Sequence, residues 1–523
     1  MKKMFKRTLS ILTAALLLCC IVPFQSFAEA PAIWDGSIAE GFAGGTGTEA
    51  DPYIITNGSE LAYLAQQVNL GVDNGGSDFI EEYVKMTADI YLNDTANYEN
   101  WETEAPANEW VAIGTAIDRF NGVFDGDNHA VYGIYINKTG EAVEDKNQGL
   151  FGRTKGTIMN VGVEESYIHA YDTVGGVVAD NTDGAVINCY NKATVSGNFL
   201  DIGGVVGYSW GNIENCRNYG DVTGEVQGVG GVVGEIHGTI SDCSNTGTIT
   251  GAQTTGGIAG ICDASITGSI NYGTVAYKFA QTIGGITGKL YGTADLCANY
   301  GTVKGDTSVA GIAGEGFGNI TNCYNAGIVD GDELTGGITG YFSSDAVVSC
   351  CYNAAEVTGD EDFHAVIGYT EGQGTNNYYL DTSCTIEDTN AVALTHDQLC
   401  AAENYEGFDF ENIWTMEGDP DYPYAELICF APEEEPEPTE EPEPTDEPVP
   451  TDEPEPTDEP EPTDEPEPTD EPVPTDEPVP TDEPQPTDEP QPTPPSTGFI
   501  SLAGLGAAAL LAGAGIVLFR KKN

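Results

Sequence analysis

Residues 203–222 read GGVVGYSWGNIENCRNYGDV, and close variants of this stretch recur through the middle of the chain. The second glycine of each GGVVG-like string begins a column of nine positions that spans 216 residues in eight steps of 26 to 28, a mean of 27. The column consists of Gly149, Gly176, Gly204, Gly231, Gly257, Gly285, Gly311, Gly337 and Ala365. The residue after each position is large and apolar, from Leu150 to Val366, which predicts that this second column is buried.

The second part of each unit, GNIENCRNYGDV at residues 211–222, adds three more columns. Cysteine or serine occupies the first column, asparagine follows two residues later, and valine or isoleucine comes six residues after the first. The asparagine column runs Asn191, Asn218, Asn245, Asn271, Asn299, Asn325 and Asn353. Each unit therefore carries three short apolar stretches between glycine and asparagine turns, with no helical period.

Three short strands and tight turns in each unit are typical of one coil of a parallel β-solenoid. The hexapeptide period of left-handed β-helices is missing, and parallel crossovers are strongly right-handed. The sequence therefore predicts an all-β, right-handed parallel β-helix, in which nine coils stacked ~4.8 Å apart extend over ~43 Å. On a straight strand Ile213 and Cys216 would face opposite sides, so either a corner lies between them or one of them points outward.

An open solenoid exposes strand edges at both ends, and capping elements must cover them. Residues 59–70 fit a capping helix with Asn57 or Ser59 as its N-cap. Its apolar face would consist of Leu61, Leu64, Ala65 and Val68. Residues 83–93 and 110–137 are predicted to supply strands of the early coils.

The GGVVG and GNIENC units resemble GLUG repeats, which occur in bacterial surface proteins and in some immunoglobulin A peptidases. Residues 42–48 and 51–55 are similar to the leader that precedes such repeats. Residues 407–410, Trp414 and Tyr422 are similar to the segment that closes them. The likeness covers residues 40–430 and implies a β-helical fold, whereas it indicates little about activity.

The first 28 residues are laid out as an export signal. Four cations lie within the first seven residues, the run 9–22 is apolar, and small residues precede Glu29. We predict cleavage between Ala28 and Glu29, because a cut after Ala30 would leave Pro31 as the first residue. The alternative is an uncleaved N-terminal anchor, although the run is shorter than the ~20 residues that span a bilayer.

The C-terminal residues 494–523 consist of PPSTG, an apolar run over 499–519 and a basic tail. This order resembles the sortase sorting signal LPxTG of Gram-positive surface proteins, with proline in place of the leucine and Pro495 as the motif's own proline. The resemblance implies transient insertion in the membrane, cleavage by sortase between Thr497 and Gly498, and transfer of the Thr497 carbonyl to peptidoglycan. A permanent C-terminal membrane anchor is the alternative.

Charge is distributed unevenly: the chain has 84 acidic and 18 basic residues, and residues 433–489 hold 26 acids without a base. Repeated Thr-Asp-Glu-Pro-x-Pro units there cannot form a core, and they predict a disordered, extended stalk of up to ~190 Å that crosses the wall. Residues 29–432 retain 58 acids and 11 bases, a net charge of −47. This charge repels nucleic acid and acidic glycans, and we interpret it as serving solubility more than cation binding.

Candidate chemistry in the sequence is sparse. The HExxH motif is absent, so the zinc site of the peptidases that share these repeats is missing. Asp125, Asp127 and His129 alternate along the chain and could bind a metal or act as acid and base, although Asp125-Gly126 is more simply a turn. Acids at 330–333 and 360–362 could bind calcium, but solvated turns explain them as well. We therefore predict no catalytic residue, no metal and no cofactor.

Eleven of the 13 cysteines remain after the export signal is removed. Thiols stacked ~4.8 Å apart lie too far from each other for a disulfide, which needs Cβ atoms ~3.5 to 4.5 Å apart. The repeat cysteines are therefore predicted to be small buried hydrophobic residues. The expected places for a disulfide are Cys350, Cys351, Cys384, Cys400 and Cys429.

Variable aromatic and charged residues follow the GGxxG string, and stacking of coils would gather Trp210, His237 and Tyr291 into one stripe. The stripe could meet a sugar or a protein, or these could be loop aromatics without a ligand. We predict a secreted, cell-wall-anchored adhesion or display protein that binds a host glycan, host protein or matrix component and not nucleic acid. The alternative is a β-helical polysaccharide lyase or hydrolase, and a peptidase fragment is disfavoured because HExxH is missing.

The predicted organisation has six parts. They are a signal peptide (1–28), an N-terminal cap with the first coils (29–147), the repeat solenoid (148–370), a closing segment (371–431), the acidic stalk (432–493) and the sorting signal (494–523).

Overall fold

The computed structural model describes residues 31–276 and 281–430, and the predicted signal peptide, stalk and sorting signal lie outside the described residues. The described chain forms parallel sheets that stack into a β-solenoid of about 12 turns. This confirms the parallel solenoid predicted from the repeat. None of the helices in residues 31–276 and 281–430 is long and apolar enough to cross a membrane.

Each coil contributes to four sheets rather than three, because the GGVVG string forms a corner instead of a strand. Strands Leu200–Gly203 and Val206–Ser209 lie on either side of Gly204 and belong to different sheets. A β-carbon on Gly204 would come within 2.2 Å of the carbonyl oxygen of Gly231 in the next coil. Glycine at this corner therefore allows neighbouring coils to approach each other closely.

Sheets 1 and 2 precede and follow this corner, and each has nine strands. Sheet 1 consists of Lys146–Gln148, Asp172–Gly175, Leu200–Gly203, Gln227–Gly230, Thr254–Gly256, Thr282–Gly284, Thr307–Ala310, Glu333–Gly336 and Glu361–His364. Sheet 2 consists of Phe151–Thr154, Val178–Asn181, Val206–Ser209, Val233–Ile236, Ala259–Cys262, Thr287–Leu290, Ala313–Gly316, Thr339–Phe342 and Ile367–Thr370.

Sheet 3 has 22 strands, and in most coils it uses two short ones separated by a bend. They are Tyr53–Ile55, Tyr83–Met86, Ile90–Tyr91, Val123–Tyr132, Thr157–Glu164, Ala185–Ile187, Tyr190–Asn191, Asn212–Glu214, Arg217–Asn218, Ile240–Ser241, Ser244–Asn245, Ser265–Thr267, Ile270–Asn271, Thr293–Asp295, Ala298–Asn299, Ile320–Thr321, Tyr324–Asn325, Val347–Ser349, Tyr352–Asn353, Gln373–Thr375, Tyr378–Leu380 and Val392–Leu394.

Sheet 4 has nine strands and completes each coil. They are Tyr135–Lys138, Tyr167–Ala170, Thr194–Gly197, Val222–Gly224, Ile249–Gly251, Val275–Ala276, Val303–Lys304, Val329–Asp330 and Val357–Thr358.

A left-handed residue inside sheet 3 explains how Ile213 and Cys216 both face the core. Asn215 has φ 49° and separates the two short strands of its coil. This bend shifts the alternation of side chains, and Ile213 and Cys216 are both fully buried. The corner expected between them is therefore present. The same position is left-handed in the neighbouring coils, at Asn160, Asn188, Asp242, Gly268, Leu296, Asn322, Cys350 and Asn376.

The interior is filled by columns of branched apolar side chains, which the stacked coils place above one another. Val205, Val232 and Ile258 occupy the column that follows the glycine corner, and all three are fully buried. Val222 of sheet 4 pairs with Ile249 of the next coil and is equally buried. The core columns predicted from the repeat are thus confirmed.

The cysteine column lies in the same interior, where burial raises the pKa of the Cys189, Cys216 and Cys323 thiols well above the ordinary value. All 11 cysteines of the described chain carry free thiols. The buried column agrees with the prediction of small hydrophobic residues. The disulfide expected among Cys350, Cys351, Cys384, Cys400 and Cys429 is not formed.

Helix α1, Gly58–Leu70, caps the N-terminal end, as predicted. Asn57 rather than Ser59 is its N-cap, because the Asn57 side chain accepts hydrogen bonds from the backbone of Ser59 and Glu60. The predicted strands at 110–137 are shorter than expected: strands form over Val123–Tyr132 and Tyr135–Lys138 only. The preceding residues make isolated bridges instead.

The closing segment folds back along the outer face of sheet 3, where it buries the tyrosines of several coils. Helix α2, His396–Leu399, and the antiparallel strands Trp414–Thr415 and Glu426–Leu427 belong to it. Trp414 packs against Tyr324 and Tyr352, which are fully buried. The remaining helices are short 3-10 turns at Val72–Asn74, Thr95–Asn100, Val143–Asp145, Ala402–Asn404 and Ile428–Phe430.

Candidate functional site

The predicted ligand residues occupy equivalent positions on their coils. Trp210, His237 and Tyr291 each follow directly after the last residue of a sheet 2 strand. The backbone N–H of His237 donates to Ser209 at 2.8 Å, and that of Tyr291 donates to Cys262 at 2.9 Å, each toward the preceding coil. The structure therefore places the three side chains on one edge of the solenoid. Their role as a ligand face stays a prediction.

Three further aromatic residues extend this edge, and the sequence reasoning missed them. Phe317 occupies the same position, three residues after the last glycine of its GxxG string, while Tyr341 and Tyr369 point outward from sheet 2. The ring of Tyr291 stacks on Phe317 with centroids 5.1 Å apart, and Tyr341 stacks on Tyr369 at 6.0 Å. Aligning all nine coils, rather than three, would have revealed them. We call these six residues the aromatic ridge: Trp210, His237, Tyr291, Phe317, Tyr341 and Tyr369.

The rings of the ridge are accessible rather than part of the core. Trp210 is 55% exposed, Tyr291 50% and Tyr369 42%. Trp210 stacks on His237 with ring centroids 4.1 Å apart and an interplanar angle of 17°. The rings thus stack face to face between adjacent coils, while much of the surface of Trp210, Tyr291 and Tyr369 stays open to solvent.

Acidic side chains surround His237 within the ridge. His237 Nδ1 lies 2.6 Å from Asp263 Oδ2, and its Nε2 lies 3.2 Å from Glu235 Oε1. Both ring nitrogens of His237 therefore face carboxylates, while one face of the ring stacks on the Trp210 indole. Asp263 separates this part of the ridge from Tyr291 in the next coil.

A partly buried carboxyl, Asp201, lies beside Glu235. Burial, and then the negative charge of Glu235, raise the pKa of Asp201 to about 8. Asp201 and Glu235 share a hydrogen bond, in which Asp201 is the donor at neutral pH. Burial also raises the pKa of Glu235, against the opposing effect of His237. The sequence offered no signal for this pair, because the two residues lie on different coils outside the motif columns.

Asp125, Asp127 and His129 do not converge on one site. Asp127 forms an ion pair with Lys85 at 3.1 Å, and His129 Nδ1 lies 3.1 Å from Asp89 Oδ1. Asp127 also has φ 51°, so the strand is interrupted between Asp125 and His129. Asp125 and Gly126 lie within the strand Val123–Tyr132, whose register shifts between Asp125 and His129, rather than in the turn that the sequence suggested.

In the first acidic turn, Asp330 uses its carboxylate within the fold. Asp330 forms an ion pair with Lys304 and accepts a hydrogen bond from Thr358 at 2.9 Å. Within residues 31–276 and 281–430, no group of three or more His, Cys, Asp or Glu side chains is arranged to hold a metal ion.

Comparison with known proteins finds one family match and two distant likenesses. The model of the GLUG motif matches residues 226–250. Halomucin of Haloquadratum walsbyi is 29% identical over 176 residues, which are 33% of this chain and 2% of the halomucin. The crystal structure of a candidate immunoglobulin A1 protease from Bacteroides ovatus is 18% identical, covers 74% of this chain and 95% of its own, and superposes with a TM-score of 0.32. The chain thus contains a GLUG motif, in agreement with the resemblance of its repeat units.

Proposed function

We propose that this chain is an extracellular surface protein, anchored to the cell wall, that binds a glycan, protein or matrix ligand through the aromatic ridge. The observation that carries the proposal is the row of stacked, exposed rings along one edge of the solenoid. Soluble domains seldom expose contiguous aromatic rows, and such surfaces mark binding sites. Extended solenoid faces are commonly used in this way.

Three features of the sequence support a location at the cell surface. The N-terminal residues resemble an export signal, the C-terminal residues resemble a sorting signal, and the repeat contains a GLUG motif. The similarity to a halomucin is consistent with an extracellular protein, although it covers a small part of that relative.

A binding screen against glycans and host or matrix proteins, run on the purified full-length chain, tests the ridge. We expect a ligand whose affinity falls about tenfold or more in the Trp210→Ala and Tyr291→Ala variants. Phe199→Ala is the matched control, because Phe199 is 37% exposed and stacks on Tyr171 away from the ridge. The proposal would be contradicted if affinity fell equally in all three variants. It would also be contradicted if the ligand bound both ridge variants as tightly as the native chain.

A polysaccharide-cleaving enzyme is the second candidate, because burial and Glu235 raise the pKa of Asp201 to about 8, in the direction that a general acid requires. Glycosidases hold their two carboxyl groups ~5 to 10 Å apart so that the glycosidic bond fits between them. Asp201 and Glu235 instead bond directly to each other. Lyase, hydrolase and peptidase assays on the same protein decide the matter, since turnover that disappears in Asp201→Asn would establish an enzyme.

A further inference from the structure

A second surface lies on the outer face of sheet 3, away from the ridge. It is a polar groove of about 490 Å³, whose lining includes Asn160, Asn188, Tyr190, Asn215, Arg217 and Tyr219. We propose that this groove binds an extended acidic polysaccharide, with a sugar carboxylate on Arg217 and pyranose rings on Tyr190 and Tyr219. The proposal goes beyond the ridge and is independent of whether the ridge binds a ligand.

The first argument is the charge of Arg217. Eight of the ten basic residues in the described chain have a carboxylate within 4.0 Å, and the two without one are Arg119 and Arg217. Arg217 instead contacts the Asn215 side-chain oxygen at 3.4 Å. Its planar guanidinium is suited to bidentate binding of a carboxylate. In a domain with such an excess of acids, an exposed arginine without an acidic partner indicates an anionic ligand.

The net negative charge of the domain opposes such a ligand only weakly, because most of that charge lies far from the groove and is screened. Charges more than ~8 Å apart are largely screened at physiological ionic strength. Near the groove, Lys192 adds a second cation, and its ion pair with Glu164 at 2.9 Å offsets one of the two positive charges. Asn160 of the groove donates to the Asp125 carboxylate at 2.8 Å, so the positive charge left without a carboxylate partner within 4.0 Å is that of the Arg217 guanidinium.

The second argument is a ladder of amides along the groove. Asn215 donates to the Asn188 side-chain oxygen at 2.6 Å, and Asn188 donates to that of Asn160 at 3.0 Å. Each amide has a second donor and a further acceptor site for sugar hydroxyls. The amides repeat once per coil, ~4.8 Å, which is close to the length of one pyranose in an extended chain. An extended peptide, at ~3.1 to 3.4 Å per residue, would lose register with this ladder.

The third argument is a pair of tyrosine rings at the groove's edge. Tyr219 is 43% exposed, and its ring centroid lies 6.3 Å from that of Tyr190. The Tyr190 hydroxyl donates to Glu164 at 2.7 Å, and the Lys192 ammonium lies 5.2 Å from the Tyr190 ring centre. These contacts fix the Tyr190 ring before a ligand arrives, which lowers the entropy cost of binding.

The test measures binding of oligogalacturonate and hyaluronan fragments to the full-length chain by calorimetry, with carboxyl-reduced oligosaccharides as the uncharged probe. We expect Arg217→Gln to weaken binding of an acidic probe about tenfold or more, and added salt to weaken it further. Tyr219→Ala should also weaken binding, whereas Arg119→Gln should leave it unchanged. Melting curves confirm that each variant is folded.

Several outcomes would overturn the proposal. One is that neither acidic probe binds, and another is that the carboxyl-reduced probe binds as tightly as the acidic one. A third is equal weakening by Arg217→Gln and Arg119→Gln, which would indicate a non-specific charge effect. Finally, a synthetic peptide of residues 451–462 that binds the groove more tightly than either polysaccharide would show that acidic peptide is the preferred occupant.

Discussion

A single asparagine in the repeat makes hydrogen bonds both within its coil and to the coils on either side. Asn245 donates to the Asn271 side-chain oxygen at 2.8 Å and to the Gly247 carbonyl at 3.0 Å. Its own oxygen accepts from Asn218 at 2.8 Å and from the Gly247 backbone at 3.2 Å. The amide is fully buried, so every one of these bonds replaces a lost contact with water. The ladder expected from the asparagine column is present from Asn191 to Asn353.

Asn245→Ala should lower the free energy of unfolding by ~1 to 3 kcal/mol, because it leaves buried partners above and below without a bond. Asn353→Ala should cost less, since Asn353 ends the ladder and the next coil has Tyr379 in its place. Chemical denaturation of both variants provides the measurement. Equal losses at the two positions would contradict a cooperative ladder.

The stability of the chain should depend on pH through Asp201. Its pKa is raised from 3.8 to about 8 in the folded chain. A carboxyl whose pKa is higher in the folded than in the unfolded state stabilises the fold fully below pH 3.8, and this contribution is lost as the pH rises through 8. Asp201→Asn cannot ionise and keeps a donor toward Glu235. We therefore expect the variant to gain ~2 to 4 kcal/mol over the native chain between pH 5 and pH 9.

Denaturation curves at both pH values measure this gain. Asp183→Asn is the control, since Asp183 is an exposed carboxylate that pairs with Lys155 at 3.4 Å. A native chain that loses no stability relative to Asp201→Asn between pH 5 and pH 9 would disprove the role of burial.

At the scale of the element, the repeat period was sufficient to predict coil length and the parallel sheets. Gly204 and Asn218 recur at a regular spacing in the other coils because neighbouring coils contact each other at these positions. Few residue types are compatible with such contacts. The fourth sheet was missed because the GGVVG string was interpreted as a strand, whereas Gly204 turns it into a corner. The Asp201–Glu235 pair was missed because it depends on contacts between coils at positions that vary.

The closing segment is the other element that the sequence did not place. Its aromatic residues resemble a terminal cap, but they pack sideways onto sheet 3, where Tyr324, Tyr352 and Tyr378 present rings outward. The sequence pattern of these outward-facing tyrosines is the same whether solvent or another segment of the chain lies against them. Only the three-dimensional arrangement shows which rings the segment buries.

Trp414→Ala should detach the closing segment without unfolding the coils. Trp414 is fully buried, and its ring lies 4.6 Å from that of Phe408. Removing it should cost ~3 to 5 kcal/mol locally. Hydrogen exchange should then accelerate over residues 395–430 while the interior strands stay protected, and Trp210→Ala should not produce this pattern. Uniform acceleration along the whole solenoid would contradict a separately docked segment.

At the scale of the molecule, the proposed anchoring depends on residues outside the described part of the chain. Thr497→Ala should abolish covalent attachment to the wall, because it removes the side chain of the motif threonine at the bond that sortase would cleave, and the protein should then be recovered in membrane fractions. Extraction of purified walls with boiling detergent measures this. Thr497→Ala protein that still resists extraction would rule out the sortase interpretation. Ser496→Ala serves as the control, because Ser496 occupies the variable position of the motif.

The closing segment also determines how the solenoid would bear a mechanical force. It is tied to three different coils: the Tyr300 hydroxyl donates to Glu426 at 2.8 Å, the Tyr352 hydroxyl donates to the Ala425 carbonyl, and that of Tyr378 donates to Glu406 at 3.1 Å. A pull on residue 430 is thus shared among several coils and loads the segment in shear along the axis. Without the segment, the same pull would peel off the last coil and then each next one, breaking a few hydrogen bonds at a time.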